Sequence, residues 1–339
     1  MKAVGLYKYL PIENDQSLVD VDIEKPIASG KDILVAVKAI AVNPVDTKVR
    51  APKDQVEQSP RILGWDAAGE VVAVGEKVEH YQVGDQVYYA GDITRAGSYS
   101  EYQLVDERIV GHLPNCLDYD QAAAIPLTGI TAWEALFDRL AISKHGDDAG
   151  KSILIIGGAG GVGSIAIQLA SKVAKLKVIA TASRKESSDW CLKLGADEVI
   201  NHRHSLVKES KAKDIEQIDY IICLNNTDQH WAAMAELIAP QGKICSIVET
   251  TAPVDMNALK SKAASFSWEF MFTRAMYQTP DMIEQQNLLN SIAKLINDQQ
   301  LSTTVNEVIR PINAENLRKA HALIERGSAI GKIVLADWV

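Results

Sequence analysis

Cysteine is scarce in this chain. Its four thiols, at positions 116, 191, 223 and 245, include no C-x-x-C pair. That spacing excludes a disulfide framework and suits free thiols in a reducing compartment. Basic residues are outnumbered, and a net charge of −9 argues against nucleic acid or an anionic membrane surface as the main partner. A local basic pocket for phosphate remains compatible with it. No internal repeat or low-complexity linker is evident. The opening MKAVGLYKYL lacks the long apolar core of a signal peptide, so a cytoplasmic location is expected. One uncharged run, Ser152 to Ser171, approaches membrane length, but five glycines within its positions 157–163 make it a poor membrane helix. What remains is ordinary: 339 residues, 47% hydrophobic and 23% charged, suit a globular enzyme of two domains.

The same uncharged run is the most informative stretch. It reads as an apolar strand (153–156), then GGAGGVG, then a helical pattern. Gly158, Gly160 and Gly163 fit G-x-G-x-x-G at a strand-to-helix handover, with Gly161 and Val162 between the last two. In that context the first glycine allows the tight turn. The second lets backbone approach a pyrophosphate, and the third lets the helix pack close to the strand.

Up to about residue 125 the chain shows short alternating strands between tight turns (33–37, 69–75, 83–89, 97–105), the pattern of a small barrel or sandwich. QAAAIPLTGITAWEALF is helix-like, with Pro126 interrupting it. Strands then alternate with helices. The strands are expected at 153–156, 177–182, 198–200, 218–224 and 243–248, and the helices at 164–174, 187–194, 207–213 and 231–238. Pro240-Gln241-Gly242 reads as a turn. This alternation predicts an α/β fold with a doubly wound parallel sheet. A helix over 281–297 follows, then strand, helix and strand to 335. These last elements exceed what a dinucleotide fold needs, so they are expected to return to the first domain.

An acid normally stands at the tip of the second strand to hold the ribose hydroxyls of NAD. Here that tip reads Ser183-Arg184-Lys185, with Glu186 only afterwards. A hydroxyl and two cations suit a 2′-phosphate, so NADPH is the expected cofactor.

Together these residues resemble the medium-chain dehydrogenase/reductase superfamily, its quinone oxidoreductase (zeta-crystallin-like) branch, and within it the "zinc-type alcohol dehydrogenase-like" subgroup. AVNPVDTKVR (41–50), LGWDAAGEVVAVG (63–75), PLTGITAWEAL (126–136), GGAGGVGSIAIQLA, LGADEVINH (194–202), SWEFMFTRAMYQTPDM (267–282) and GKIVL (331–335) carry the resemblance. It implies a GroES-like β-barrel catalytic domain from 1–125 and 300–339, beside a Rossmann domain at 126–299. It also implies catalytic roles for Asn43, near the nicotinamide and the substrate oxygen, and for Asp46 as its polar partner. Thr128, Thr131, His202, Asn225, Ser246, Ile247, Val248 and Lys332 would join the glycines and Ser183–Lys185 around the cofactor. Trp65, Trp268, Phe270 and Phe272 would wall the substrate pocket.

Zinc-dependent members hold their ion through an early Cys, the His-Glu of a G-H-E motif and a later Cys. The matching positions here are Asn43 and Gly64-Trp65-Asp66, and no cysteine precedes Cys116. A catalytic zinc needs three protein ligands, so no metal is expected. Without a Lewis acid, the fitting acceptors are quinones and α,β-unsaturated carbonyls, whose conjugated oxygen already accepts charge. The resulting expectation is an NADPH-dependent, zinc-independent oxidoreductase acting on such small molecules. Zinc-type alcohol dehydrogenation and a non-catalytic NADPH-binding sensor or scaffold are the alternatives. An edge strand near 265–270 could pair with its copy across a two-fold axis, and the resemblance implies a homodimer of that kind.

Overall fold

The computed structural model describes residues 1–338. Two compact units divide the chain: Met1–Ile130 together with the chain from Phe272 onward, and Thr131–Met271.

In the second unit, β1 (Ser152–Ile156), β2 (Lys177–Thr181), β3 (Glu198–Ile200), β4 (Ile218–Cys223), β5 (Ile238–Ser246) and β6 (Ser265–Trp268) form one sheet. The order is β3-β2-β1-β4-β5-β6 and every pairing is parallel. This is a doubly wound α/β sheet whose direction of winding reverses beside β1. The central place of β1 follows from its composition. Ile153 to Ile156 are all buried, as a strand covered on both faces requires. The β6 edge, by contrast, leaves Trp268 48% exposed. Ile218, Ile221, Cys223, Trp231, Met234, Leu237 and Ile244 join Leu154 and Ile156 in the core on one side of the sheet.

The uncharged run divides as a strand, a glycine turn and the helix Gly161–Gln168, which continues in wider π-type turns over Leu169–Val173. Among the described residues no helix is long and apolar enough to cross a membrane. Pro126 starts a helix (Pro126–Trp133) rather than interrupting one, because a first-turn proline has no hydrogen bond to lose. The turn expected at 240–242 lies inside β5. Gln241 takes a left-handed φ of 64° there, and the pairing with β4 shifts register between Ile218 and Tyr220, so the signal marks a bulge.

The first unit carries a seven-stranded sheet running Val305–Ile309, Lys332–Ala336, Asp32–Val42, Ala67–Val74, Gln86–Tyr89, Val110–His112, with Tyr102–Asp106 also paired to Asp32–Val42. A three-stranded antiparallel sheet joins Val19–Asp22, Lys2–Tyr9 and Lys53–Ile62. Lys53–Ile62 left no alternation to read, being polar and mostly exposed. The unit takes back the chain from residue 272, earlier than the 300 expected. The reason is the helix Glu284–Asn297, whose Leu288, Leu289, Ile292 and Ile296 are buried. Tyr88 donates its hydroxyl hydrogen to Leu289 O at 2.6 Å, and Gln286 donates to Tyr81 Oη at 3.1 Å.

Candidate active site

In the second unit, the chain leaves β1 through Gly157, whose φ of 89° only glycine adopts without strain. The left-handed turn thus belongs to Gly157 and not to Gly158, the residue expected to provide it. Gly158 is needed for space instead: a Cβ there would lie 2.8 Å from Ala180 Cβ. Gly163 has the role expected of it, since a Cβ would sit 2.4 Å from Gly157 O. At Gly160, the N-cap of the following helix, a Cβ would meet only Gly157 O at 3.5 Å. Gly160, Gly161 and Val162 remain partly accessible, so backbone there is open to an anionic ligand at the helix N-terminus.

Thr181, last in β2, ties this turn to its neighbours. Its Oγ1 accepts the Gly157 N–H at 3.0 Å and lies 3.2 Å from His202 Nδ1. No motif singles out Thr181. Only its position at the strand end hinted at it. His202 is thereby brought to the glycine turn, and its imidazole is held below its ordinary pKa by burial and by Arg203. It lines a cavity of about 320 Å³ with His204, Ser205, Leu206, Gln229 and His230. His204 bonds Glu209 at 3.0 Å, outside any metal cluster. Among the described residues no group of three or more His, Cys, Asp or Glu is arranged to hold a metal ion.

After β2, Ser183 is partly buried, and Arg184 and Lys185 are exposed. Arg184 is the N-cap of the helix Lys185–Leu194, and its carbonyl accepts the Ser187 hydroxyl at 2.8 Å. Lys185 pairs along that helix with Asp189 at 2.5 Å. Asn225 is exposed just past β4. Ser246 is fully buried and its hydroxyl is consumed locally, 2.6 Å from Thr227 Oγ1 and donating to Cys223 O at 3.2 Å. It fastens the ends of β4 and β5, leaving the partly exposed Ile247 and Val248 at the surface. Thr131 is buried at the start of this unit.

The first unit holds the other set. Asn43 precedes the helix Pro44–Arg50, and its N–H donates to Asp46 Oδ2 at 2.8 Å. Asp46, the expected polar partner of Asn43, thus meets it through the backbone. That amide is held by two residues from far along the chain. Asn43 Nδ2 donates to Asp66 Oδ2 at 2.8 Å, and Lys332 Nζ donates to Asn43 Oδ1 at 2.5 Å. Lys332 also reaches Asp66 Oδ2 at 2.9 Å and Val42 O at 3.1 Å. Expected at the cofactor, Lys332 turns inward and is 3% exposed. Asp66 Oδ1 accepts the Leu127 N–H at 2.7 Å. Burial raises the Asp66 pKa while the Lys332 ammonium opposes the rise.

A second chain of groups leads from Asp46. Burial pushes its carboxyl up to about 7, although the Asn43 N–H and the Tyr99 hydroxyl, 2.9 Å from Oδ2, favour the anion. Tyr99 Oη lies 3.1 Å from His321 Nε2, and burial, with Arg50 nearby, holds His321 down at about 3, a neutral imidazole. Nothing local in the sequence joins residues 46, 99 and 321. Thr128 donates to Ala124 O and Ile125 O, just before its own helix, at 3.3 and 3.1 Å. Trp65, 1% exposed, donates to Asp92 O and stacks edge-on with Phe272, 2% exposed, at 6.1 Å. These two expected pocket walls are core residues in the first unit. Phe270, in the second, is 47% exposed.

The chain matches the alcohol dehydrogenase GroES-like domain over residues 29–115 and the zinc-binding dehydrogenase domain over 194–335. It is 46% identical over 336 residues to a zinc-type alcohol dehydrogenase-like protein of Staphylococcus aureus, covering 99% of each chain. It is 35% identical over 240 residues to the quinone oxidoreductase of Lama guanicoe, covering 70% of this chain and 69% of that one. Among solved structures, a Rhizobium etli protein provisionally named a zinc-dependent alcohol dehydrogenase superimposes with a TM-score of 0.95. The two are 49% identical, over 100% of this chain and 98% of that one.

The metal in those names does not fit the donors here. Positions 43, 65 and 66 offer an amide, an indole and one carboxylate, and that carboxylate already faces an ammonium 2.9 Å away. A zinc site draws on thiolate, imidazole and unencumbered carboxylate.

Proposed function

The chain belongs to the medium-chain dehydrogenase/reductase superfamily, a family of oxidoreductases with a nicotinamide-dinucleotide fold, and from that premise we propose an NADPH-dependent, zinc-independent reductase of quinones or α,β-unsaturated carbonyls. The observation that carries the reading is the donor set at Asn43, Trp65 and Asp66, which has neither thiolate nor imidazole. Alcohol oxidation at neutral pH draws on a metal to stabilise the alkoxide, whereas a conjugated carbonyl takes up hydride and delocalises the charge itself. Similarity to a quinone oxidoreductase across two thirds of the chain supports the same class of acceptor.

NADPH supplies the hydride when bound. The chain's part is to bind and orient. In this reading Gly157 to Gly163 receive the pyrophosphate at the helix N-terminus. Ser183 and Arg184 take the 2′-phosphate, since no carboxylate at the end of β2 repels it. Thr181 holds His202 beside the turn. The main chain at Ile247 and Val248, with Asn225, lies at the carboxyl ends of β4 and β5, where ligands of such sheets sit. Asn43 is the catalytic residue of this reading, and its amide is fixed by Asp66 and Lys332.

Stopped-flow oxidation of NADPH against a panel of quinones and enones tests the reading. Rapid turnover with members of the panel is expected; silence across it, in folded protein that binds NADPH, overturns it. The exposed β6 edge pairing with its own copy would give a homodimer, and a monomeric sedimentation profile would contradict that.

A further inference from the structure

Three oxygens converge on one buried point of the first unit: Val42 O, Asn43 Oδ1 and Asp66 Oδ2. An ammonium carries three N–H donors, and Lys332 finds one acceptor for each. Asn43, Asp66 and Lys332 are 1%, 0% and 3% exposed, so water does not compete for these bonds. A buried carboxylate requires a partner charge, and the chain supplies it covalently.

We propose that Lys332 is a tethered cation that takes the electrostatic place of the divalent ion in the family description, and that its task is to position Asn43. The amide has only one favourable orientation between its neighbours. Its oxygen faces the ammonium and its NH2 faces the Asp66 carboxylate. Turned over, it would set NH2 against the ammonium and carbonyl oxygen against the carboxylate. Lys332 is thus a positioning residue, and with its three donors spent it is no ligand of the cofactor. Its effect on turnover rests on the reductase reading above; its place as the site's cation rests on the geometry alone.

The test compares full-length K332M, K332A and D66N chains, and the D66N/K332M double variant, with the unchanged protein. The unchanged protein should bind no stoichiometric zinc by elemental analysis and keep its turnover after chelation. K332M should bind NADPH within about threefold of the unchanged protein by calorimetry, yet reduce acceptor about tenfold more slowly or worse. Methylammonium should raise the denaturation midpoint and restore part of the turnover of K332A. Tetramethylammonium, which has no N–H, should do neither. The double variant should lose less stability than the two single losses summed, because each single change strands the other group. If K332M does not fold, the double variant, with both charges removed, carries the comparison.

Stoichiometric zinc whose removal abolishes turnover overturns the proposal, as does strict additivity of D66N and K332M. So does a K332M loss of NADPH affinity equal to its loss of turnover, which would make Lys332 a cofactor ligand. Should the unchanged chain bind NADPH but reduce no acceptor, the reductase reading fails. Amine rescue of stability and the double-variant comparison still decide the role of Lys332.

Discussion

Replacing Glu269 with glutamine should stabilise the second unit, and increasingly so as pH rises. Glu269 follows β6 and is 2% exposed; Glu134, opposite it, is fully buried. Arg139 serves both, with its Nε 2.8 Å from Glu269 and its Nη2 3.6 Å from Glu134. Burial, and then the Glu134 charge, pushes Glu269 up to about 9, so the pair retains a proton that an unfolded glutamate would release near 4.5. Between those two values the unfolded chain binds fewer protons, so stability is full below about 4.5 and falls as pH rises towards 9. At about 1.4 kcal/mol per pH unit, the loss by pH 7.5 reaches roughly 4 kcal/mol as an upper bound, and about 2 kcal/mol after halving for relaxation around the pair. In E269Q the amide N–H stands in for the shared proton towards Glu134 while its oxygen still accepts from Arg139. The pH-dependent loss should then disappear. Urea unfolding of both proteins from pH 5 to 9 measures it: the two stability curves should nearly meet at the acid end and diverge by about 2 kcal/mol near pH 7.5. Parallel curves would refute a proton shared between Glu134 and Glu269.

Three further outcomes are expected. G163A drives a methyl against Gly157 O at 2.4 Å, so it should cost about 1–3 kcal/mol of stability and weaken NADPH binding, read by thermal unfolding and calorimetry. Unchanged affinity would detach the glycine turn from the cofactor. R184A should lower NADPH affinity about tenfold and leave NADH affinity nearly unchanged, in keeping with one lost charge-assisted contact of about 1.4 kcal/mol. Equal losses for both cofactors would remove Arg184 from the 2′-phosphate. In Y99F, Asp46 loses a donor that favours its anion, so any limb near pH 7 in the turnover profile should move to higher pH. A profile identical to that of the unchanged protein would separate Asp46 from the chemistry.

Much of the second unit was legible because its signals are local. A glycine turn, an apolar strand and a following helix lie within twenty residues, and all three stand where the sequence pattern put them. Even there, periodicity misplaced details that depend on neighbours. The left-handed turn fell to Gly157, while Gly158 is needed because a Cβ there would meet Ala180. The Pro240 turn became a bulge because β4 pairs on either side of it. Trp65 and Phe272, expected as pocket walls, were assigned to the core only by packing.

The polar centre of the first unit was barely legible. Asn43, Asp66 and Lys332 were each visible in motifs, but nothing linear says that an ammonium from the last strand inserts between an amide and a carboxylate hundreds of residues earlier. The amino-acid order by itself determined the type of fold, the place of the glycine turn and the absence of thiolate and imidazole where a metal would need them, because those depend on residue identity and short-range spacing. The tertiary structure alone decided which charges face each other. Electrostatic pairing depends on distance through space and on the exclusion of water, and both arise only once the distant strands have come together.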